Sequence, residues 1–379
     1  MRRTFSDWSS HSKTLIRSRF LRHSIVISKS FALFALAVSV SAAEPRDISE
    51  DLEPIRVKYK LPACASAVME DGCVVAIGAT GLRRVDRPVR VTTADLWQIG
   101  SCTKSLTATL VGVLVDEGRL RWDMSVADIF PDLRCHATWR KVTVWDLVTH
   151  RSGIGTIPRS EWPRDGTAHQ QRELFARQLL ARPPAGKLGK FAYSNAGYGL
   201  LGTIIERVSG QGYEDLLQKK IFDPLRLETA GFGAAGTPGQ LDQPCGHWRR
   251  DERLIPVDPK RENQFPPALA PAACVHMSLK DFARYATWLG TNEPHLVKPE
   301  TFTRLHTPPQ GSSYAGGLWK SEFPGIGGGA LCHTGHLGGF FAVFYASRHR
   351  ACVSVFNMEG GGWESLGDAI CGAALKAAQ

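Results

Sequence analysis

Metal-binding and redox cysteine patterns are missing from this chain. Its nine cysteines run from Cys64 to Cys371 with no Cys-x-x-Cys pair and no zinc-type spacing. Their number is odd, so at least one thiol is unpaired in a monomer, and most read as small buried hydrophobes. No His-Glu-x-x-His helix occurs, no block of Lys and Arg follows residue 43, and no internal repeat recurs at a fixed period. The apolar run at residues 31–40 is too short to span a bilayer. These absences argue against a zinc or dithiol centre, a nucleic-acid-binding tail, a repeat array and a membrane span.

What is present is ordinary for a folded protein: 379 residues, 43% hydrophobic and 22% charged. The formal charge of +10 is concentrated at the start, where residues 1–43 hold five Arg, two Lys and one Asp. The remainder carries 39 basic against 35 acidic side chains, which predicts no polyanion partner. The basic, serine-rich leader, its apolar run and the small residues Ser41, Ala42 and Ala43 predict an export signal cleaved after Ala42 or Ala43. An Arg- and Ser-rich leader poor in acid also fits an organelle transit peptide. The mature chain is expected to be periplasmic or secreted, without a transmembrane span. Residues 44–379 are then one catalytic domain.

The rest of the chain reads as α+β. Residues 64–69 and 73–77 form a hairpin about Asp71-Gly72. A helix starts near Ser101 and stops at Gly118. Residues 119–269 predict a mainly helical lobe broken by Pro and Gly, with helices near 123–129, 143–148, 168–181, 198–208 and 212–222. Residues 233–271 read as loops. A helix follows Ser278, residues 339–346 and 351–356 form a second hairpin, and 364–377 a last helix. The α/β lobe is thus assembled from about 44–118 and 270–379.

Three short motifs carry chemistry. Ser101 and Lys104 are three residues apart at a helix start, so their side chains share a face. An adjacent amine can activate a serine hydroxyl, and the helix N-terminus favours developing negative charge. The spacing alone is commonplace: Ser10 and Lys13 repeat it in the leader. Tyr193-Ser194-Asn195 precedes an apolar helix. Its phenol can act as general acid or base beside an ammonium, and its amide can hold a substrate carbonyl. The bland alternative is a buried tyrosine and an N-capping Asn. Cys332-His333-Thr334-Gly335-His336 leads into the last hairpin, where a strand edge can bind an extended substrate. Without an acidic companion, His333 and His336 make a poor metal pair.

The order of these motifs resembles the serine β-lactamase and penicillin-recognising enzyme superfamily. Within it, the chain is similar to the branch of class C β-lactamases, D-Ala-D-Ala carboxypeptidases and β-lactamase-like esterases. Leu147-Val148-Thr149-His150-Arg151-Ser152-Gly153, Phe222-Asp223-Pro224-Leu225 and His333-Thr334-Gly335-His336 look like further landmarks, and the likeness covers roughly residues 50 to 375. It implies an antiparallel sheet flanked by helices, an inserted helical lobe, and a site in the cleft between. It also implies roles: Ser101 as acylated nucleophile, Lys104 and Tyr193 sharing the proton transfers, Asn195 on the substrate amide, and the Ser101 and His336 N–H groups as oxyanion hole. His333, Thr334 and Gly335 would complete the substrate strand. No cofactor or metal is implied.

Two features separate the chain from relatives. Histidine at 333 stands where most β-lactamases carry lysine, so a substrate carboxylate would be gripped only while the imidazole is cationic. No Ser-Asp-Asn triplet marks class A, and no Gly-x-Ser-x-Gly marks an α/β-hydrolase. The expected activity is that of an exported serine hydrolase forming an acyl-enzyme from a D-Ala-D-Ala-type peptide, a β-lactam or a small ester. The alternatives are a carboxylesterase of this branch or a non-catalytic ligand-binding descendant.

Overall fold

Two hairpins far apart in sequence lie side by side in the computed structural model, which describes residues 44–379 apart from 252, 263 and 264. The leader at 1–43 lies outside the described residues. Strands Ala63–Glu70 and Cys73–Arg84 meet at Asp71 and Gly72, both with positive φ. That is the turn that suits the twist of a tight hairpin, and Asp-Gly supplies it at little steric cost. Ala63–Glu70 pairs antiparallel with Arg350–Phe356, which pairs with Phe340–Ala346. The sheet continues through Gly327–Leu337 to Trp319–Phe323, all antiparallel. At the other margin Arg46–Asp47 joins Cys73–Arg84 in parallel.

The central strands are apolar at nearly every position because both faces are covered. Ala65, Ala67, Val353 and Phe344 face the helix Leu279–Thr291. Cys64, Val68, Cys352 and Val343 face the helices Ser49–Lys58 and Trp363–Ala377. The helix Thr103–Asp116 is buried from Thr103 through Leu114, polar residues included. Its threonines and serine are satisfied internally: Thr107 Oγ1 donates to Pro271 O at 2.7 Å and Ser105 Oγ to Cys102 O at 2.8 Å. Helices Val144–Val148, Ala168–Leu180, Asn195–Ser209 and Tyr213–Leu217 form the inserted helical part. Thr143 and Thr167 open two of them with complete capping boxes.

The segment 233–271 is more ordered than its composition suggests. It holds the hairpin His247–Arg250 with Arg253–Pro256 and the helical turn Ala270–Ala273. This hairpin touches the core only through His247 and Leu254, while its arginines Arg249, Arg250 and Arg253 are exposed. Ala270–Ala273 is buried all round and shows no polar face. Among the described residues no helix is long and apolar enough to cross a membrane.

Candidate active site

A single 3-10 turn, Gly100–Cys102, delivers Ser101 to the cleft ahead of the helix Thr103–Asp116. Lys104 Nζ lies 2.9 Å from Ser101 Oγ and 2.9 Å from Ala272 O. The carbonyl can only accept, so it takes one N–H of the amine. Lys104 is fully buried, and loss of solvation pushes its pKa well below the usual lysine range. Once it has lost a proton, the amine has a lone pair, and Ser101 O–H is placed to donate to it.

Tyr193 closes the other side. Its ring lines the cavity with Ser101, and Lys104 Nζ stands 4.8 Å from its ring centroid. The residue is 39% exposed to the cleft, but loss of solvation at its hydroxyl raises the phenol pKa, so Tyr193 keeps its proton at neutral pH. The ring is also held from behind. His150, in the left-handed region at φ 56°, packs 4.4 Å from it and accepts the Ser194 N–H at 3.1 Å through Nδ1. Asn195 is the first residue of its helix and exposed. Ser194, not Asn195, caps that helix by accepting from Gly197 N–H, which leaves the Asn195 amide free to face the cleft.

The third motif is part of the strand Gly327–Leu337. Pairing with Trp319–Phe323 ends at Cys332, so His333–Leu337 present one open edge. Two glycines let that edge reach the nucleophile. A Cβ on Gly335 would stand 2.1 Å from Ile99 O and 2.5 Å from Ser101 N, and one on Gly100 would stand 2.5 Å from His336 N. The backbone amides of Ser101 and His336 are thereby brought to one place.

One expectation fails. His333 is 2% exposed, and burial followed by repulsion from Lys104 lowers its pKa to about 3. Its Nδ1–H donates to Thr334 O, so Nε2 accepts from Tyr314 O–H at 3.2 Å. At neutral pH it is an uncharged member of an aromatic wall, not a cation for a carboxylate. The strand alternation also puts its ring on the opposite side from that of His336, which is exposed, so the two do not converge on one ion.

Ser101, Tyr193, Asn195, His333, Thr334 and His336 all line one cavity of about 450 Å³. Phe265, Ala273, Trp319, Phe341, Trp363 and Glu364 complete it. None of these six, nor Tyr314, belongs to a sequence motif. His150 lies within a landmark, but its contact with Tyr193 had no signal in the sequence.

A buried amine on a serine at a helix start, a phenol beside them, and two backbone amides brought close together make up the candidate site. The chain belongs to the beta-lactamase family, whose model matches residues 46–370. It is 34% identical over 181 residues to penicillin-binding protein 4 of Amycolatopsis lactamdurans, covering 47% of this chain and 46% of that protein. It is 25% identical over 214 residues to a beta-lactamase of Providencia stuartii, covering 56% and 53%. The chain thus spans about half the length of these curated relatives. An octameric penicillin-binding protein homologue from Pyrococcus abyssi superposes with a TM-score of 0.70 at 26% identity, covering 84% of this chain and 74% of that one. The D-amino acid amidase of Ochrobactrum anthropi SV3 shares the fold with a TM-score of 0.69 at 21% identity, covering 87% and 97%.

Proposed function

We propose that this protein is a serine hydrolase that cleaves an amide or ester through an acyl-enzyme on Ser101. The observation that carries this reading is the 2.9 Å contact between Ser101 Oγ and a lysine whose pKa is lowered by burial. Lys104 takes the Ser101 proton as Oγ attacks the substrate carbonyl carbon. The oxyanion forms between the Ser101 and His336 N–H groups. As the intermediate collapses, Tyr193 gives its proton to the departing alcohol or amine, and the proton that Lys104 took from Ser101 passes back to restore the phenol. Water then attacks the ester of Ser101 under the same groups in reverse, releasing the acid. Asn195 and the open strand edge hold the substrate.

The opposite pKa displacements divide the labour of the pair: amine as base, phenol as acid. Activity-based labelling with a neutral fluorophosphonate tests the reading. Wild type should be labelled and Ser101→Ala should not. Well-folded protein that resists the probe would point to a non-catalytic receptor instead. Nitrocefin, a D-Ala-D-Ala peptide and a p-nitrophenyl ester, compared on the same preparation, then rank the substrate classes.

A further inference from the structure

The active-site cavity carries a charge pattern that selects its substrate. Among its lining residues the only Asp, Glu, Lys or Arg is Glu364. Lys104 lies behind Ser101 with its amine engaged, and His333 is an uncharged part of the wall. No cation among the lining residues is therefore left to meet a carboxylate on the substrate.

Glu364 sits in the first turn of the helix Trp363–Ala377 and is exposed to the cavity. Among the described residues no ion pair engages it. Its neighbour Trp363 packs on the His336 ring at 4.8 Å, and His336 supplies one of the converging amides. A carboxylate beside an indole is the pairing that holds an ammonium, one by charge and the other by its ring face. An adjoining pocket of about 350 Å³ shares Phe265 and His336 and adds Glu359 and Arg261, which offset each other in sign.

The position fixes which part of the substrate is read. Tyr193 stands near His333, with ring centroids 6.3 Å apart, whereas Trp363 stands at His336. Three residues of extended strand separate those two histidines, roughly 10 Å. The proton donor for the leaving group is at the first end. The Trp363–Glu364 end is left to the acyl part.

We propose that Trp363 and Glu364 form a subsite for an ammonium group on the acyl portion of the substrate, so that the enzyme prefers amine-bearing amides or esters to those bearing a carboxylate. This rests on the serine hydrolase reading above. It assigns a specificity role to Glu364, which touches neither the reacting bond nor Ser101.

Three fluorophosphonates that differ only at the chain end, in an ammonium, a methyl group or a carboxylate, separate the two ideas. Labelling rates of Ser101 are measured on the full chain at low salt. The ammonium probe should outpace the carboxylate probe by about tenfold or more, as expected for a cleft lined by one sign of charge. Glu364→Gln should collapse that ratio by slowing the ammonium probe far more than the methyl probe, and Glu364→Asp should keep most of it. Equal rates in wild type, a carboxylate preference, or an ammonium preference that survives Glu364→Gln would overturn the subsite. Failure of the methyl probe would sink the hydrolase reading itself, and the subsite with it.

Discussion

Gly335 approaches the Ser101 amide so closely that a Cβ built on it would stand 2.5 Å from that nitrogen. The strand and the helix start are in backbone contact there, and no side chain fits between them. Gly335→Ala should push the strand off the turn and pull the His336 amide away from the oxyanion position. Loss of one oxyanion donor typically costs about 10²–10³ in kcat. The expected result is such a loss with p-nitrophenyl ester, KM changed far less, and a folded protein by circular dichroism. Unchanged kcat would mean that the two amides do not act together.

The protonation of Lys104 leads to a second expectation. Its lowered pKa comes from burial without a carboxylate partner. Acylation should therefore reach its plateau at a pH well below the normal lysine range and fall on acidification as the amine takes a proton. Lys104→Arg puts a permanent cation there that cannot supply a lone pair. It should lose acylation by at least ~10², the lower range for general-base catalysis. Stopped-flow acylation across pH 5 to 9 decides the matter, with the range chosen around the ordinary histidine and lysine values. Activity retained in Lys104→Arg would give the base role to another group.

The architecture was legible where side-chain periodicity reports burial. Both hairpins, the Asp71-Gly72 turn and the helices near 143–148, 168–181 and after Ser278 followed from apolar spacing and from Pro and Gly breaks. Three motifs placed eight residues at the site because each motif is local in sequence. What stayed hidden depends on long-range packing. Nothing around Tyr314 or Trp363 shows that they meet His333 and His336. The protonation of His333 stayed hidden for the same reason: a residue's pKa belongs to its surroundings, and only the fold shows that this imidazole is buried beside an amine.

Acid should destabilise the fold through histidines rather than through activity. His247 is fully buried and its pKa is lowered to about 4 by burial. Nε2 accepts from Val85 N–H at 3.1 Å, which leaves Nδ1–H to donate to Asn357 O at 2.8 Å. His333 is lowered to about 3. Above the unfolded value of about 6.5 neither state binds a proton and stability is full. As pH falls below it, the unfolded chain takes up protons that the folded one refuses. Stability then declines by up to about 1.4 kcal/mol per pH unit for each histidine, levelling off as the folded groups titrate. Urea unfolding at pH 7, 6 and 5 should show this decline, and His247→Gln should flatten it. A midpoint independent of pH over that span would contradict the burial of both rings.

The helix that begins at Asn195 is anchored by a buried ion network, and this sets the last expectation. Arg172 Nε and Nη2 donate to Glu206 Oε1 at 2.9 and 2.7 Å, and Nη1 and Nη2 donate to Glu214 at 2.8 and 2.7 Å. The Arg172 and Glu206 side chains are each 1% exposed. Burial works to raise the Glu206 pKa, but Arg172, the Tyr213 N–H and His169 together hold it below its usual value. Arg172→Met would leave that carboxylate buried against apolar surroundings, a change that typically costs about 3–5 kcal/mol. Urea unfolding should register a loss of this size at pH 7. At lower pH Glu206 can take a proton in the variant, so the deficit against wild type should shrink as pH falls. Arg172→Met combined with Glu206→Gln should recover part of the stability, because no charge remains stranded. If the double variant were as unstable as the single one, the penalty would lie in lost packing rather than in the orphaned carboxylate.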